Sequence, residues 1–417
     1  MTAAPLVAVD YDVAIVGGGM VGASLALALR ATGLKLLLVE AFAPDAAAQP
    51  SFDERTTALG NGSRRVFEAL GLWPRLAAEA APITHIHVSD AGRLGFARLQ
   101  AAEFDLEALG YVVPNRAIGR ELWAALRLLP QVSLAMPARV TQVTLGAGHA
   151  ELTLQDAKGE RRCSARLVVA ADGAQSLVRK AAGIAASNED YGQTAIVATL
   201  RTALPNDGTA YERFTAVGPM ALLPVAGAAT RGGWRTLVWA CEPQQAADLL
   251  AMDAAQFSAR WQASFGWRVG KLLELKSRAA YPLALVRAGA GVAQRAVLLG
   301  NASQALHPVA GQGFNLGLRD AAELAEMLAA PAALPDVGAA TLLRAFAARR
   351  SADRDGVIRF TDGLVKLFAD RRPGVAALRD LGLLLFDMAP PAKRALSRVS
   401  AGFGGRAPRL SRGLPLR

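Results

Sequence analysis

Three short stretches bring together residue types able to do chemistry: Gly17-Gly18-Gly19-Met20-Val21-Gly22 with Glu40, then Asp172-Gly173, then Gly300-Asn301-Ala302 followed by His307-Pro308 and Gly311-Gln312-Gly313-Phe314-Asn315. The first reads GxGxxG. In such a turn Gly17 permits the tight bend, Gly19 lets the backbone approach a pyrophosphate, and Gly22 lets the next helix pack closely on its strand. Met20 and Val21 open that helix, whose free N–H groups face the anion. Glu40 stands eighteen residues after Gly22, at a strand end, where a carboxylate accepts both hydroxyls of an unphosphorylated ribose. Asp172-Gly173 offers a carboxylate and free N–H groups, although Asp-Gly alone means only a turn. The glycines at 311 and 313 form a further nest for an anion or an oxygen. One extended dinucleotide would touch all three, its phosphates at the first helix and its far ring at the last.

The elements that must position these turns are legible nearby. Val13, Ile15 and Val16 suit a buried parallel strand, Leu25, Leu27, Ala28 and Leu29 a helix ended by Gly33, and Leu36 to Val39 a second strand. Arg166 to Ala171 reads as a buried strand running into Asp172, with a helix from near Leu177. Arg295 to Leu299 reads as another, ahead of a helix through Leu316, Leu318, Leu324 and Met327. Between residues 130 and 170, short alternating runs (Val132-Leu134, Val140-Val143-Leu145, Leu152-Leu154) broken by Gly146, Gly148 and Gly159 predict a small antiparallel meander. The pattern is α/β: a Rossmann-like nucleotide-binding domain, a mainly antiparallel sheet domain, and C-terminal helices over 340–392.

At 417 residues the chain has room for two domains and a sizeable core. Hydrophobic residues make up 52%, yet no apolar run is long enough to span a bilayer, and Met1 to Asp10 lack the basic start and apolar stretch of a signal peptide. Cys163 and Cys241 cannot make a disulfide framework, and four histidines without ligand spacing give no metal site, so a reducing cytoplasm is the expected setting. The net charge is +11, and Lys393, Arg394, Arg398, Arg406, Arg409, Arg412 and Arg417 follow one another with no acid between them. Such a tail reads first as a solvated, partly disordered end. An anionic membrane surface or an acidic partner comes second. Nucleic acid is not expected, since no aromatic interleaving or reader motif accompanies the charge.

GGGMVG with Glu40, Asp172-Gly173 and GNASQALHPVAGQGFNLGLRD (300–320) together resemble the three FAD motifs of the group A flavin aromatic hydroxylases, whose fold is that of para-hydroxybenzoate hydroxylase. Within that group, Arg55-Thr56-Thr57-Ala58-Leu59, ITHIHVSDAGRLGF (83–96), GPMALLP (218–224) and TDGLVKLF (361–368) resemble the ubiquinone-biosynthesis hydroxylases, and among them the 2-polyprenyl-6-methoxyphenol hydroxylases. The resemblance covers nearly the whole chain. Asn301 departs from the aspartate usual in the wider group, and Ser303-Gln304 from its Ala-His pair; an amide keeps hydrogen-bonding capacity for a ribityl or pyrophosphate oxygen and loses only the charge.

The resemblance implies noncovalent FAD, NAD(P)H as a transient co-substrate and O2, with a flavin C4a-hydroperoxide attacked by an electron-rich, prenylated phenol. It implies that Gly311, Gln312 and Gly313 line the flavin's pyrimidine edge, that the Pro308 carbonyl faces the substrate and accepts the phenol's proton, and that Arg55, with Arg120 as a weaker candidate, holds FAD phosphate or adenine. His307 reads as structural. Leu222, Leu223 and Pro224 would lie where the substrate sheet meets the ring. The implied division is 1–80, 112–189 and 284–345 for the FAD-binding domain, 81–111 and 190–283 for the substrate domain, and 346–417 for C-terminal helices and basic tail. No second complete GxGxxG follows a strand, so a two-Rossmann reductase is not expected. A halogenase is disfavoured because no WxWxIP stretch occurs. A hydroxylase of another ring position and a non-catalytic FAD-binding assembly factor remain as alternatives. The apolar run Leu381 to Phe386, with the basic tail, marks a surface for a membrane's inner face or an assembly partner.

Overall fold

The computed structural model describes residues 8–43, 46, 49, 51–215, 217–226, 233–330, 335–370, 372–403 and 405–416. Residues 1–7 and Arg417, which figure in the readings of the N-terminal stretch and of the tail, lie outside the described residues.

The first sheet has a parallel core in the order Val132–Ala135, Leu36–Val39, Tyr11–Val16, Gly159–Ala170, Ala296–Leu298. Its inner strands are continuous runs of Val, Ile, Leu and Ala, as burial on both faces requires. Register decides where the site forms. Val16 lies level with Val39 and Ala170, and Ala170 with Leu298, so the turns after three strands and the carboxylate after the fourth emerge at one end of the sheet. The helices Met20–Ala28 and Gln312–Leu328 pack on the same face of this sheet.

The expected meander is only partly found. Arg139–Leu145, Ala150–Asp156 and the first half of Gly159–Ala170 form it. Val132–Ala135 instead pairs in parallel with Leu36–Val39 as the sheet's edge. Pro137, which has no N–H for a ladder, follows just where the chain leaves that edge.

The second sheet runs Gln304–Ala305, Leu272–Ala288, Ala186–Thr202, Trp234–Cys241, Pro219–Pro224, Thr209–Phe214, His85–Asp90, Phe96–Gln100. It is antiparallel except where Thr209–Phe214 meets His85–Asp90. The helices Pro243–Ala251 and Ala254–Phe265 cover one face through Met220, Leu222, Leu237, Trp239, Phe257 and Trp261. The other face looks toward the nucleotide sheet. A three-stranded sheet of Thr56–Gly60, Gly110–Pro114 and Ala81–Ile83 joins the two.

Three helices close the molecule: Ala340–Ala369, Pro373–Asp387 and Pro390–Ser400. The buried pair Arg379 and Asp90 docks the middle one on the second sheet. The tail after them is not a solvated end. Leu410 and Ser411 are 2% and 0% exposed, and the turn Leu410–Arg412 lies against the helix Asn61–Ala69. Gly62 N–H donates to the Ala401 carbonyl at 2.9 Å, Arg406 pairs with Glu326 at 3.1 Å, and Lys393 with Glu103 at 2.9 Å. Acids absent from the tail's own sequence are supplied by other segments, which is why the charge run misled.

Candidate active site

The aligned turns of the first sheet and the open face of the second enclose a cavity of about 970 Å³. Gly17, Gly19, Met20 and Val21 line one end. Gly17 has φ +102, and a Cβ there would lie 2.3 Å from the Ala171 carbonyl oxygen; at Gly22 it would lie 2.0 Å from the Gly17 carbonyl oxygen. Gly22 therefore serves the fold and does not reach the cavity, while Gly19 caps the helix whose first N–H groups have no acceptor within it. Glu40 is buried beside the loop, its Oε2 accepting from Gly18 N–H at 2.6 Å and its Oε1 from Phe42 N–H at 3.0 Å. Trp123 Nε1 donates to the Gly18 carbonyl at 3.2 Å and fixes the loop from behind.

Asp172 and Gly173 line the middle of the cavity. Asp172 Oδ2 accepts from Leu177 N–H at 2.8 Å, whereas its Oδ1 is buried with no partner, as is Thr56 Oγ1 on the facing wall. Orphaned acceptors this deep cost about 1–3 kcal/mol each. Hydroxyl groups of a bound dinucleotide's ribose or ribityl chain would satisfy them, so the residues present fit FAD. Asn301, exposed in the turn Gly300–Ala302, borders the same stretch. Arg55 also lines it, paired with Asp53 at 2.6 Å and lying over the Tyr281 ring at 4.6 Å.

At the far end stand His307, Pro308, Ala310, Gly311 and Gly313. A Cβ on Gly313 would meet nothing within 4 Å, which leaves a flat ring room to approach the start of Gln312–Leu328. Ala310, at φ 59, occupies the left-handed region that a residue with a Cβ avoids, a strain of about 1–3 kcal/mol that the surrounding loop holds. Gln312 and Asn315 turn inward as braces. Gln312 Nε2 donates to the Ala310 carbonyl at 3.0 Å. Asn315 Nδ2 donates to the carbonyls of Ala58 at 2.8 Å and Gly311 at 2.7 Å, and its Oδ1 accepts from Gly60 N–H at 2.9 Å. The Pro308 carbonyl accepts Gly311 N–H at 3.0 Å, so both groups already have a partner inside the loop. His307 accepts Val309 N–H at Nδ1 and faces Gln193 through Nε2, and burial pushes its pKa down to about 4. It is neutral near pH 7 and shapes the turn.

Some expected residues stand elsewhere. Arg120 points out of the helix Asn115–Leu126 to Glu79 at 2.8 Å and Glu121 at 3.0 Å, and it does not line the cavity. Leu222 and Pro224 are buried on the far face of their strand; Leu223 alone of the three lines the cavity, as a period of two dictates. Other lining residues carried no motif. Arg139, whose guanidinium lies 5.1 Å from the Phe42 ring centroid, and Ser51 border the glycine-loop end. Glu212, on the strand Thr209–Phe214, lines the sheet's end of the cavity, where burial pushes its carboxyl up to about 7. The alternation Ala210, Glu212 on an otherwise apolar face was the available signal.

A dinucleotide cleft roofed by an antiparallel sheet is the architecture, and the family and relatives below give the class, of an FAD-dependent aromatic-ring monooxygenase. Residues 10–361 match the FAD binding domain family, and the chain belongs to it, on the branch of the ubiquinone hydroxylases. It is 38% identical to the ubiquinone hydroxylase UbiL of Rhodospirillum rubrum over 97% of this chain and 93% of that one. It is 31% identical to the 3-demethoxyubiquinol 3-hydroxylase of Escherichia coli over 94% and 98%. The crystal structure of p-nitrophenol 4-monooxygenase PnpA from Pseudomonas putida superposes with a TM-score of 0.78 over 95% of this chain and 98% of that one, at 18% identity, a likeness of fold. The cofactor is FAD, and NAD(P)H and O2 are the co-substrates of the class. A non-catalytic assembly role finds no support beside an enzyme family of this kind.

Proposed function

We propose that the chain hydroxylates a polyprenylated methoxyphenol on the route to ubiquinone. The observation that carries this reading is the division of the cavity: glycine turns and carboxylates at one end, and Ile83, Ile86, Ala221, Leu223 and Val238 at the other, an aliphatic lining suited to a ring bearing an isoprenoid chain. When bound, FAD supplies oxygen reduction and the transfer of one oxygen atom. The chain's part is placement. The N-terminus of Gln312–Leu328 offers N–H groups and a positive dipole end to the flavin's edge. The second sheet would shield the bound flavin from water, and the braced 307–311 loop would support its ring. Hydroxylation at another ring position is the second reading, favoured by the name of the Escherichia coli relative. Mass spectrometry of the product from FAD, NAD(P)H, O2 and a short-chain 2-prenyl-6-methoxyphenol tests both. A gain of one oxygen is expected, with its position read by fragmentation; an unaltered phenol beside full NAD(P)H consumption would refute the reading.

Delivery of such a substrate has a matching surface. Leu378, Leu381 and Leu385, on one face of Pro373–Asp387, and Met388, which caps that helix, are 70%, 53%, 57% and 79% exposed and lie at helical spacing. Arg394 and Arg398 on the next helix are exposed as well, while no helix among the described residues is long and apolar enough to cross a membrane. We place an anionic lipid surface here. Each leucine buried in lipid contributes about 1.5–3 kcal/mol. The double change Leu381→Glu, Leu385→Glu is expected to lower cosedimentation with phosphatidylglycerol vesicles by at least about 10-fold. Unchanged cosedimentation would exclude this face.

A further inference from the structure

On the face of the second sheet that looks into the cavity, Glu212 stands in a row of cross-strand neighbours, Val88, Ala221 and Val238, all apolar. It is the one carboxyl that this sheet presents to the cavity among the described residues. Among the described residues no hydrogen bond or ion pair engages it. Half-buried and open to the cavity, this carboxyl is available to a ligand, and its apolar neighbours favour its neutral form. The other ionisable side chains around the cavity are engaged or distant in role: Glu40 and Asp172 at the dinucleotide turns, Arg139 over Phe42, Arg55 with Asp53, and neutral His307. Tyr211, next in sequence, turns its ring to the opposite face against Phe265. The Pro308 carbonyl, the acceptor that the family resemblance suggests, is already bonded to Gly311 N–H.

We propose that Glu212 receives the phenolic hydroxyl of the substrate and takes up its proton, an inference that rests on the reading of the enzyme as a phenol hydroxylase. The phenol O–H bond breaks, its electron pair stays on the ring oxygen, and the proton resides on the Glu212 carboxylate. The ring is thereby richer in electrons at the positions ortho and para to that oxygen. With O2 as oxidant and NAD(P)H as the source of two electrons, one oxygen atom joins the ring and the other leaves as water; the ring carbon loses its C–H proton to solvent and the ring oxygen is reprotonated from Glu212. A carboxylate here also disfavours phenols that carry a carboxylate of their own, since two like charges would share a dry wall.

The pH dependence has a definite sign. Burial holds the carboxyl near 7, so the acceptor form is scarce below that value and dominant above it. Turnover of the phenol is expected to rise with pH through about 7 and level off.

The test compares wild type with Glu212→Gln and Glu212→Ala, each loaded with FAD and checked for equal flavin content. Two readouts are taken. The first is product formation from a short-chain 2-prenyl-6-methoxyphenol across pH, for which Glu212→Gln is expected to lose about 100-fold in kcat along with the rising limb. The second needs no turnover: the flavin's absorbance shift on binding 2-methoxyphenol against 1,2-dimethoxybenzene. Wild type is expected to prefer the free hydroxyl by about 10- to 100-fold, and both variants to lose that preference. If wild type makes no hydroxylated product yet keeps a hydroxyl preference that Glu212→Gln removes, the parent reading falls and the role of Glu212 in binding the hydroxyl stands. If Glu212→Gln keeps wild-type turnover, pH limb and preference, Glu212 is a bystander.

Discussion

Gly19→Val is expected to yield a folded protein without flavin. Gly19 caps the helix Met20–Ala28 with its carbonyl on Ala23 N–H at 2.9 Å, and a Cβ there would come 3.0 Å from Ser51 Oγ, a side chain able to yield. The branched valine would fill the space in front of the helix's free N–H groups. A hydrogen bond to a charged group is worth about 1.5–3 kcal/mol, so displacing the pyrophosphate from one or two of these donors weakens FAD binding by roughly 10-fold to well over 100-fold. Titration by flavin fluorescence measures this, and circular-dichroism melts of the FAD-free proteins give the comparison. Gly22→Ala should behave in the opposite way, losing folded protein, because its Cβ would sit 2.0 Å from the Gly17 carbonyl oxygen. Wild-type flavin affinity in Gly19→Val would remove this account of the loop.

Deleting residues 400–417 is expected to destabilise the whole enzyme and lower its flavin content. The deletion strips Leu410, 2% exposed, from the core that it shares with Val66 and Phe67, at about 2 kcal/mol or more. It also removes the Ala401 carbonyl from Gly62 N–H, about 1–3 kcal/mol for a donor left without its partner. Together these approach the lower end of the ~5–15 kcal/mol that holds a typical domain together. The helix Asn61–Ala69 begins directly after the strand that carries Thr56, Thr57 and Ala58 into the cavity, so its loosening reaches the cofactor. Urea unfolding should show a lower midpoint, and gel filtration in low FAD should show a depleted holoprotein. A midpoint equal to wild type would mean that the contacts of Leu410 and Ala401 carry no weight.

What the sequence revealed about the site follows from how few residue types each place tolerates. Gly17 and Gly22 were legible because a Cβ would strike backbone at both, so the position writes its own requirement. Glu40 was legible by its distance from them along a strand-helix-strand unit of fixed length. Arg120 shows the limit of that reasoning: with Arg116 four residues earlier, it lies on the helix face that meets Glu79, away from the cavity. Leu222 and Pro224 failed for want of phase, since one strand position decides which alternate residues face the ligand. Glu212 and Arg139 had no motif because the neighbours that give them meaning arrive only through sheet pairing. The tail was misjudged because Glu326 and Glu103, which neutralise parts of it, are distant in sequence.

The tie between Gly62 and Ala401 is also one of several contacts that join the two ends of the described chain. The glycine loop at residues 17–22 is built from neighbours in sequence, but the cavity that it serves is walled by residues 301–314 and underpinned by 400–403 and 405–412. Asn315 joins residues 58–60 to the flavin end, a contact that spans 255 residues to Gly60. Contacts so distant in sequence form late. Closing the cavity therefore carries the loop-closure entropy of contacts made across most of the chain, a cost that the glycine turn alone, built from sequence neighbours, does not bear.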